Sequence, residues 1–147
     1  MGGSARGPVA CPVVKDHGTS AAGALPALLL VFGAVQLLLG ILMAAAPGTF
    51  FEEIGPYPPQ NDHYIRDVST FYLALGTVAI LAARRPSWRV PVLAFALIQY
   101  LLHAVNHVLD VGDAETEALG PVNLVSLALT AALLGWMLAA ALREEGT

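Results

Sequence analysis

The charges of this chain are few and clustered, and the gaps between them have the length of a bilayer crossing. No charge interrupts the 23 residues from Ala24 to Ala46, where Gln36 is the one strongly polar side chain. Asp67 and Arg84 bracket 16 uncharged residues, extended at the front by Tyr64 and Ile65. Arg89 and Asp110 bracket 20, counting His103 and His107 as neutral, and Glu117 and Arg143 bracket 25. A helix crosses ~30 Å of hydrocarbon with ~20 residues, so the first, third and fourth gaps suffice as they stand. The second is short and must recruit its polar front end. Gly120-Pro121 marks a helix start, since proline suits the first helical position. The prediction is an all-α integral membrane four-helix bundle. Its spans fall at about 24–46, 64–83, 89–110 and 121–142, within one transmembrane domain over 24–142.

Composition removes the main alternatives. Only 12% of the residues are charged and 56% are hydrophobic, against ~25% charged in an ordinary soluble domain. Disorder needs the opposite balance. Seven Lys and Arg against eleven Asp and Glu leave no basic surface for phosphates, which argues against a nucleic-acid partner. Cys11 is the only cysteine, so no intramolecular disulfide can form. Residues 1–20 mix Gly, Pro, Ser and Thr without periodicity and read as a mobile tail, with Cys11 and His17 part of it. A signal peptide cleaved after Ala44-Ala45-Ala46 is the rival for the first span. Its apolar run exceeds the ~7–15 residues of a signal core, which favours a retained helix.

Lys and Arg set the expected orientation. Arg6 and Lys15 precede the first span, Arg84, Arg85 and Arg89 lie between the second and third, and Arg143 follows the fourth. Only Arg66 falls on the other side, which holds eight acids from Glu52 to Glu117. Both termini are therefore expected in the cytoplasm, in the cell (inner) membrane, with an acidic outer face. Trp88 on one side, and Tyr57 and Tyr64 on the other, suit the two interfaces.

Helices in lipid associate through small residues and hydrogen bonds. Gly33, Gln36, Gly40 and Ala44 form one stripe; Gly76, Ala79 and Ala83 form another; Asn123, Ser126 and Thr130 share a face of the last span. Gln36 and Gln99 fall near the same depth and could bond across the core. The segment Pro47–His63 carries Phe50, Phe51, Tyr57 and four prolines, which rules out one regular helix. It is expected to lie at the interface or fold over the bundle mouth, as a lid or a passive connector.

The polar residues of the outer leaflet form the candidate site. His103, His107 and Asp110 are spaced i, i+4, i+7 and share a helix face, with Gln99 and Asn106 at its edges. At ~1.5 Å per residue they lie roughly 21, 27 and 32 Å from Arg89. His63 and Asp67 are likewise i, i+4, and Thr70 continues their stripe. If the two helices are neighbours, His63, Asp67, His103, His107 and Asp110 converge, with Arg66 and Asn123 beside them. A charge at mid-bilayer carries an insertion penalty of ~2.5–3.5 kcal/mol, so such groups are paired or functional. Three readings remain open. The cluster is a structural polar network; or it binds a transition metal, for which His and carboxylates on bundle helices are suitable ligands; or it serves a haem, a quinone or proton transfer.

Other chemistries find no support. His103-Ala104-Val105-Asn106-His107 lacks the glutamate base of the zinc-protease helix, no G-x-S-x-G elbow occurs, and no phosphate or dinucleotide loop is present. Asn61-Asp62-His63-Tyr64-Ile65-Arg66-Asp67 followed by Phe71-Tyr72-Leu73-Ala74-Leu75-Gly76 resembles a pattern of small, uncharacterised actinobacterial four-helix membrane proteins, similar in architecture to the DoxX-like group. The resemblance spans about residues 24–142, and its matching positions are Asn61, His63, Arg66, Asp67, His103 and His107. DoxX-like proteins are linked to membrane redox complexes, and architecture alone does not transfer that role. The sequence thus predicts a metal- or cofactor-binding membrane protein, as an accessory subunit or homo-oligomer. A purely structural or assembly protein and a small redox or proton-transfer enzyme stand as alternatives.

Overall fold

The computed structural model describes residues 19–146, with side chains from Gly23 onward. The expected tail, including Cys11 and His17, lies outside the described residues, apart from Thr19 and Ser20, which open the first helix. The described chain is all-α. Helix α1 spans Thr19–Ala45, α2 Pro47–Glu53, α3 Asp62–Arg84, α4 Arg89–Leu109 and α5 Leu119–Glu145; one 3-10 turn, Pro86–Trp88, joins α3 to α4.

Local chemistry places the helix ends. Pro47 has no N–H and pushes the residue before it out of the helical region, so α1 stops where Ala46 adopts φ −140°, ψ 64°. At the start of α3 the Asn61 side chain accepts from the Tyr64 N–H at 3.0 Å, an N-cap that relieves one orphan donor. Pro86 forces the opposite end: Arg85 leaves the helix at φ −127°, ψ 96°. Arg84 in that last turn faces the negative end of the helix dipole.

Four of the helices are long and apolar enough to cross a membrane. Only 22% to 33% of each apolar stretch is buried inside the bundle. Leu38, Leu102, Leu129 and many others point outward, far more apolar surface than water tolerates on a monomer. Lipid is the medium that accepts those faces, and the chain is a multi-pass membrane protein.

The four long helices form a ring in the order α1, α3, α4, α5, and two of its seams are tight. Between α1 and α3 the approach is set by glycine. A Cβ on Gly76 would lie 2.7 Å from the Gly33 carbonyl oxygen, and one on Gly33 would lie 2.8 Å from that of Gly76. A Cβ on Gly40 would lie 2.9 Å from the Leu73 side chain and 3.1 Å from its backbone nitrogen. Small residues thus let two backbones touch, which is how helices associate in lipid. The other tight seam joins α4 and α5, and at the start of α5 Gly120 sits so close to the Val111 carbonyl of the connecting segment that no larger residue fits. The α3–α4 and α1–α5 seams are looser.

Packing also differs along the bundle. Leu25, Leu29, Leu75, Ala79, Ala82, Leu93, Leu134 and Met137 fill the half that carries Arg84, Arg85, Arg89 and Arg143. There Arg89 Nη1 donates to Glu144 Oε2 at 2.6 Å, tying the start of α4 to the end of α5. At the junction with the other half, the diagonal between α1 and α4 is bridged by Gln36 Nε2 donating to the Tyr100 hydroxyl at 2.7 Å. Gln36 was expected opposite Gln99; the tyrosine one residue on reaches the bundle axis instead, and the buried Gln99 carbonyl oxygen has no hydrogen-bond partner among the described residues. Beyond this bridge the bundle is hollow.

Candidate functional site

The hollow half holds a cavity of about 450 Å³. Its walls come from all four long helices: Val35, Leu39 and Met43 of α1, Ile65, Val68 and Tyr72 of α3, Tyr100, His103 and His107 of α4, and Asn123, Ser126, Leu127 and Thr130 of α5. The segment after α1 covers the mouth. Met43, Phe51 and Ile65 make a small second core that seats α2, while Phe50, Ile54, Gly55, Tyr57 and Pro59 face the cavity. Three bonds hold this cover down. The Asn123 amide donates to the Ile54 carbonyl at 2.7 Å, the Glu115 N–H donates to the Pro56 carbonyl at 2.9 Å, and Tyr57 shares a hydrogen bond of 3.0 Å with His107 Nδ1. Of the two roles foreseen for this segment, its placement is that of a cover.

The polar groups inside follow one helix face. Tyr100, His103 and His107 are spaced i, i+3, i+7, so they line one stripe over about 10 Å. The Nε2 atoms of His103 and His107 lie 3.2 Å apart, and the Tyr57 ring packs edge-on to His107 with centroids 5.1 Å apart. The result is a chain, Tyr57–His107–His103, running from the cover into the cavity. A hydrogen bond between two Nε2 atoms needs a lone pair on one of them, so at least one imidazole is neutral. A smaller cavity lies on the other side of this chain, between the start of α3 and the end of α4. It shares Tyr57, Tyr64, His103 and His107 with the first and adds Asn106 and Asp110.

The candidate residues of the sequence therefore divide. His103, His107 and Asn123 line the main cavity; Asn106 and Asp110 line the smaller one; Gln99 faces neither. His63 and Asp67 pair with each other at 3.4 Å, with side chains 86% and 65% exposed, and do not join the histidines of α4. The reason is the small-residue face of α3. Gly76, Ala79 and Ala83 turn toward the interior, and Ile65 and Ser69 lie buried on that side. His63, Asp67 and Thr70 are thereby carried to the exposed face. Arg66 likewise faces out, 4.0 Å from Asp62 rather than beside Asp67 or Asp110. The histidines bond to each other and to Tyr57 rather than to Asn106 or Asn123, whose amide is taken by the cover. Among the described residues no group of three or more His, Cys, Asp or Glu is arranged to hold a metal ion.

Sequence reasoning missed the tyrosines. Tyr57 reads only as an interfacial anchor and Tyr100 carries no assignment from the sequence, yet both shape the cavity. The available signal was the i, i+3, i+7 register of Tyr100 with the two histidines.

Fold and site together define a four-helix, multi-pass membrane protein with a partly open cavity in one half of the bundle. The family model for DUF4345, a domain of unknown function, matches residues 24–141, and the chain belongs to that family. Neither curated proteins nor solved structures yield a match.

Proposed function

We propose that this protein holds a small lipid-soluble molecule in the hollow half of its bundle. The body of the ligand lies against Val35, Leu39, Met43, Phe51 and Leu127, and its polar head meets His103, His107 and Asn123. The observation that carries the reading is the cavity itself. About 450 Å³ lies within the range of small-molecule sites, which are mostly apolar with a few placed polar groups. Dense packing in the other half shows that this sequence fills space where space is not wanted.

The distribution of Lys and Arg supports the orientation that goes with this: both termini in the cytoplasm of a cell bounded by this inner membrane, and the cavity in the outer leaflet. A cysteine at Glu115 should then react with an impermeant thiol reagent from outside, and one at Ser87 should not, both in a Cys11→Ser background. Reversed labelling would refute the orientation.

A transition metal is the reading for which the 3.2 Å approach of the two imidazoles speaks. Two nitrogens fall short of the three or four ligands that such ions take from protein, so the ligand or water would have to supply the rest. One preparation decides between them. The protein is purified in mild detergent, its organic extract is examined by mass spectrometry, and its metal content and visible spectrum are recorded. The expected result is one compound near one per protein, lost in the cavity-filling variant Leu127→Trp. A stoichiometric metal lost in His103→Ala and His107→Ala would replace this reading with the metal one. An extract holding only bulk membrane lipid, from stable protein without metal, would end both.

A further inference from the structure

We infer that the head group of the molecule in this cavity is uncharged: a hydroxyl, carbonyl or similar neutral group on an apolar body. The inference rests on the cavity reading and narrows it to a chemical class. Among the described residues, none that lines the main cavity is Asp, Glu, Lys or Arg. An ionised group moved from water into such surroundings without a counter-charge loses several kcal/mol of solvation, and a neutral polar group needs only a hydrogen bond.

The rim opposes an anion a second time. Glu52, Glu53, Asp110, Asp113, Glu115 and Glu117 stand exposed around the covered end, so an anionic head would approach against a field of its own sign. Arg66 belongs to that end but faces outward beside Asp62. A cationic head would be drawn to the rim and then find no carboxylate in the main cavity, since Asp110 lines only the smaller one beyond the histidines.

What the cavity does offer is neutral and adaptable. In the Tyr57–His107–His103 chain the proton order can run either way. Tyr57 donates to Nδ1 while His107 donates to His103, or His103 donates to His107 while Nδ1–H donates to Tyr57. Reversal moves no net charge. The chain therefore suits a head that accepts a hydrogen bond and one that donates it, and asks only that it be neutral.

Three photoactivatable probes test this on the full-length wild-type protein in bilayer nanodiscs. All carry the same diazirine-bearing C14 chain, ending in an alcohol, a sulfonate or a trimethylammonium group. Labelled positions are mapped by peptide mass spectrometry, with the unlabelled parent as competitor. The expected result is saturable labelling of cavity residues such as Met43, Val68 or Leu127 by the alcohol, at least about tenfold above either charged probe. Labelling of outward residues such as Leu102 and Leu129 should be equal for all three and not competed. Cavity labelling by a charged probe at the level of the alcohol would overturn the neutral-head inference and leave the cavity reading in place. Absence of saturable cavity labelling by all three would overturn the cavity reading itself.

Discussion

The glycine contact between α1 and α3 makes a prediction whose size can be worked out from the structure. Replacing Gly76 by alanine puts a methyl group 2.7 Å from the Gly33 carbonyl oxygen, 2.8 Å from Leu37 Cγ and 2.9 Å from the Leu37 nitrogen. Carbon and carbonyl oxygen sit comfortably no closer than about 3.3 Å, so α1 must retreat by roughly 0.6 Å along this seam. Two of the three obstacles are backbone and cannot rotate aside. Overpacking of this kind costs about 1–3 kcal/mol. Against it stands the intrinsic gain of alanine over glycine in a helix, about 1 kcal/mol. Gly135 of α5 supplies the control, because a Cβ there meets nothing within 4 Å. Gly135→Ala collects the helix gain without the clash and should stabilise by about 0.5–1 kcal/mol. The two variants should thus differ by about 1–3 kcal/mol, and the difference isolates the steric part. Reversible unfolding in mixed micelles, followed by helix content against denaturing detergent, measures both. If Gly76→Ala proves as stable as Gly135→Ala, the close crossing does not hold these helices together and the argument fails.

Other expectations are briefer. Arg89→Ala should cost about 1.5–3 kcal/mol, because it strips a charged hydrogen bond from a pair whose side chains are 12% and 25% exposed; Arg66→Ala, at 4.0 Å from its partner and half exposed, should stay within about 0.5 kcal/mol, and equal effects would contradict the assignment. A double-mutant cycle on Gln36→Leu and Tyr100→Phe should return a coupling of about 0.6–1.7 kcal/mol, whereas additive effects would deny the bond across the diagonal. Tyr57→Phe should speed amide exchange in residues 54–60 by mass spectrometry while leaving the packed half unchanged, and wild-type exchange there would mean that the hydroxyl does not hold the cover.

Much of this was readable from residue order. Charge-free gaps of bilayer length mark the four crossings because lipid admits few charges, a constraint that needs no tertiary information. The glycine and alanine stripes were equally visible, and Gly33, Gly40, Gly76, Ala79 and Ala83 all lie buried; Ala44, one turn beyond, faces outward. Partner choice was less legible. His63 and Asp67 have the spacing of a site, yet near the end of a span such residues are satisfied by water. Nothing therefore compels them inward once Gly76 has fixed which face α3 presents. The histidines of α4 are half-buried between the helices and bond to each other and to Tyr57. That partner comes from a proline-rich segment whose path no periodicity describes.

The unequal seams also bear on how the molecule is made. Helices α4 and α5 are joined by a short turn and pack tightly on each other, and α1 packs tightly on α3. The fold thus consists of two closely packed pairs, each complete in itself once its second long helix is present. The cavity belongs to neither pair. It comes into being only when the two dock, and the bond from Asn123 to the cover can form only after the start of α5 is in place. The cavity is therefore the last part of the fold to be completed, and a chain that stops before its final helix lacks the wall that Asn123, Ser126, Leu127 and Thr130 provide.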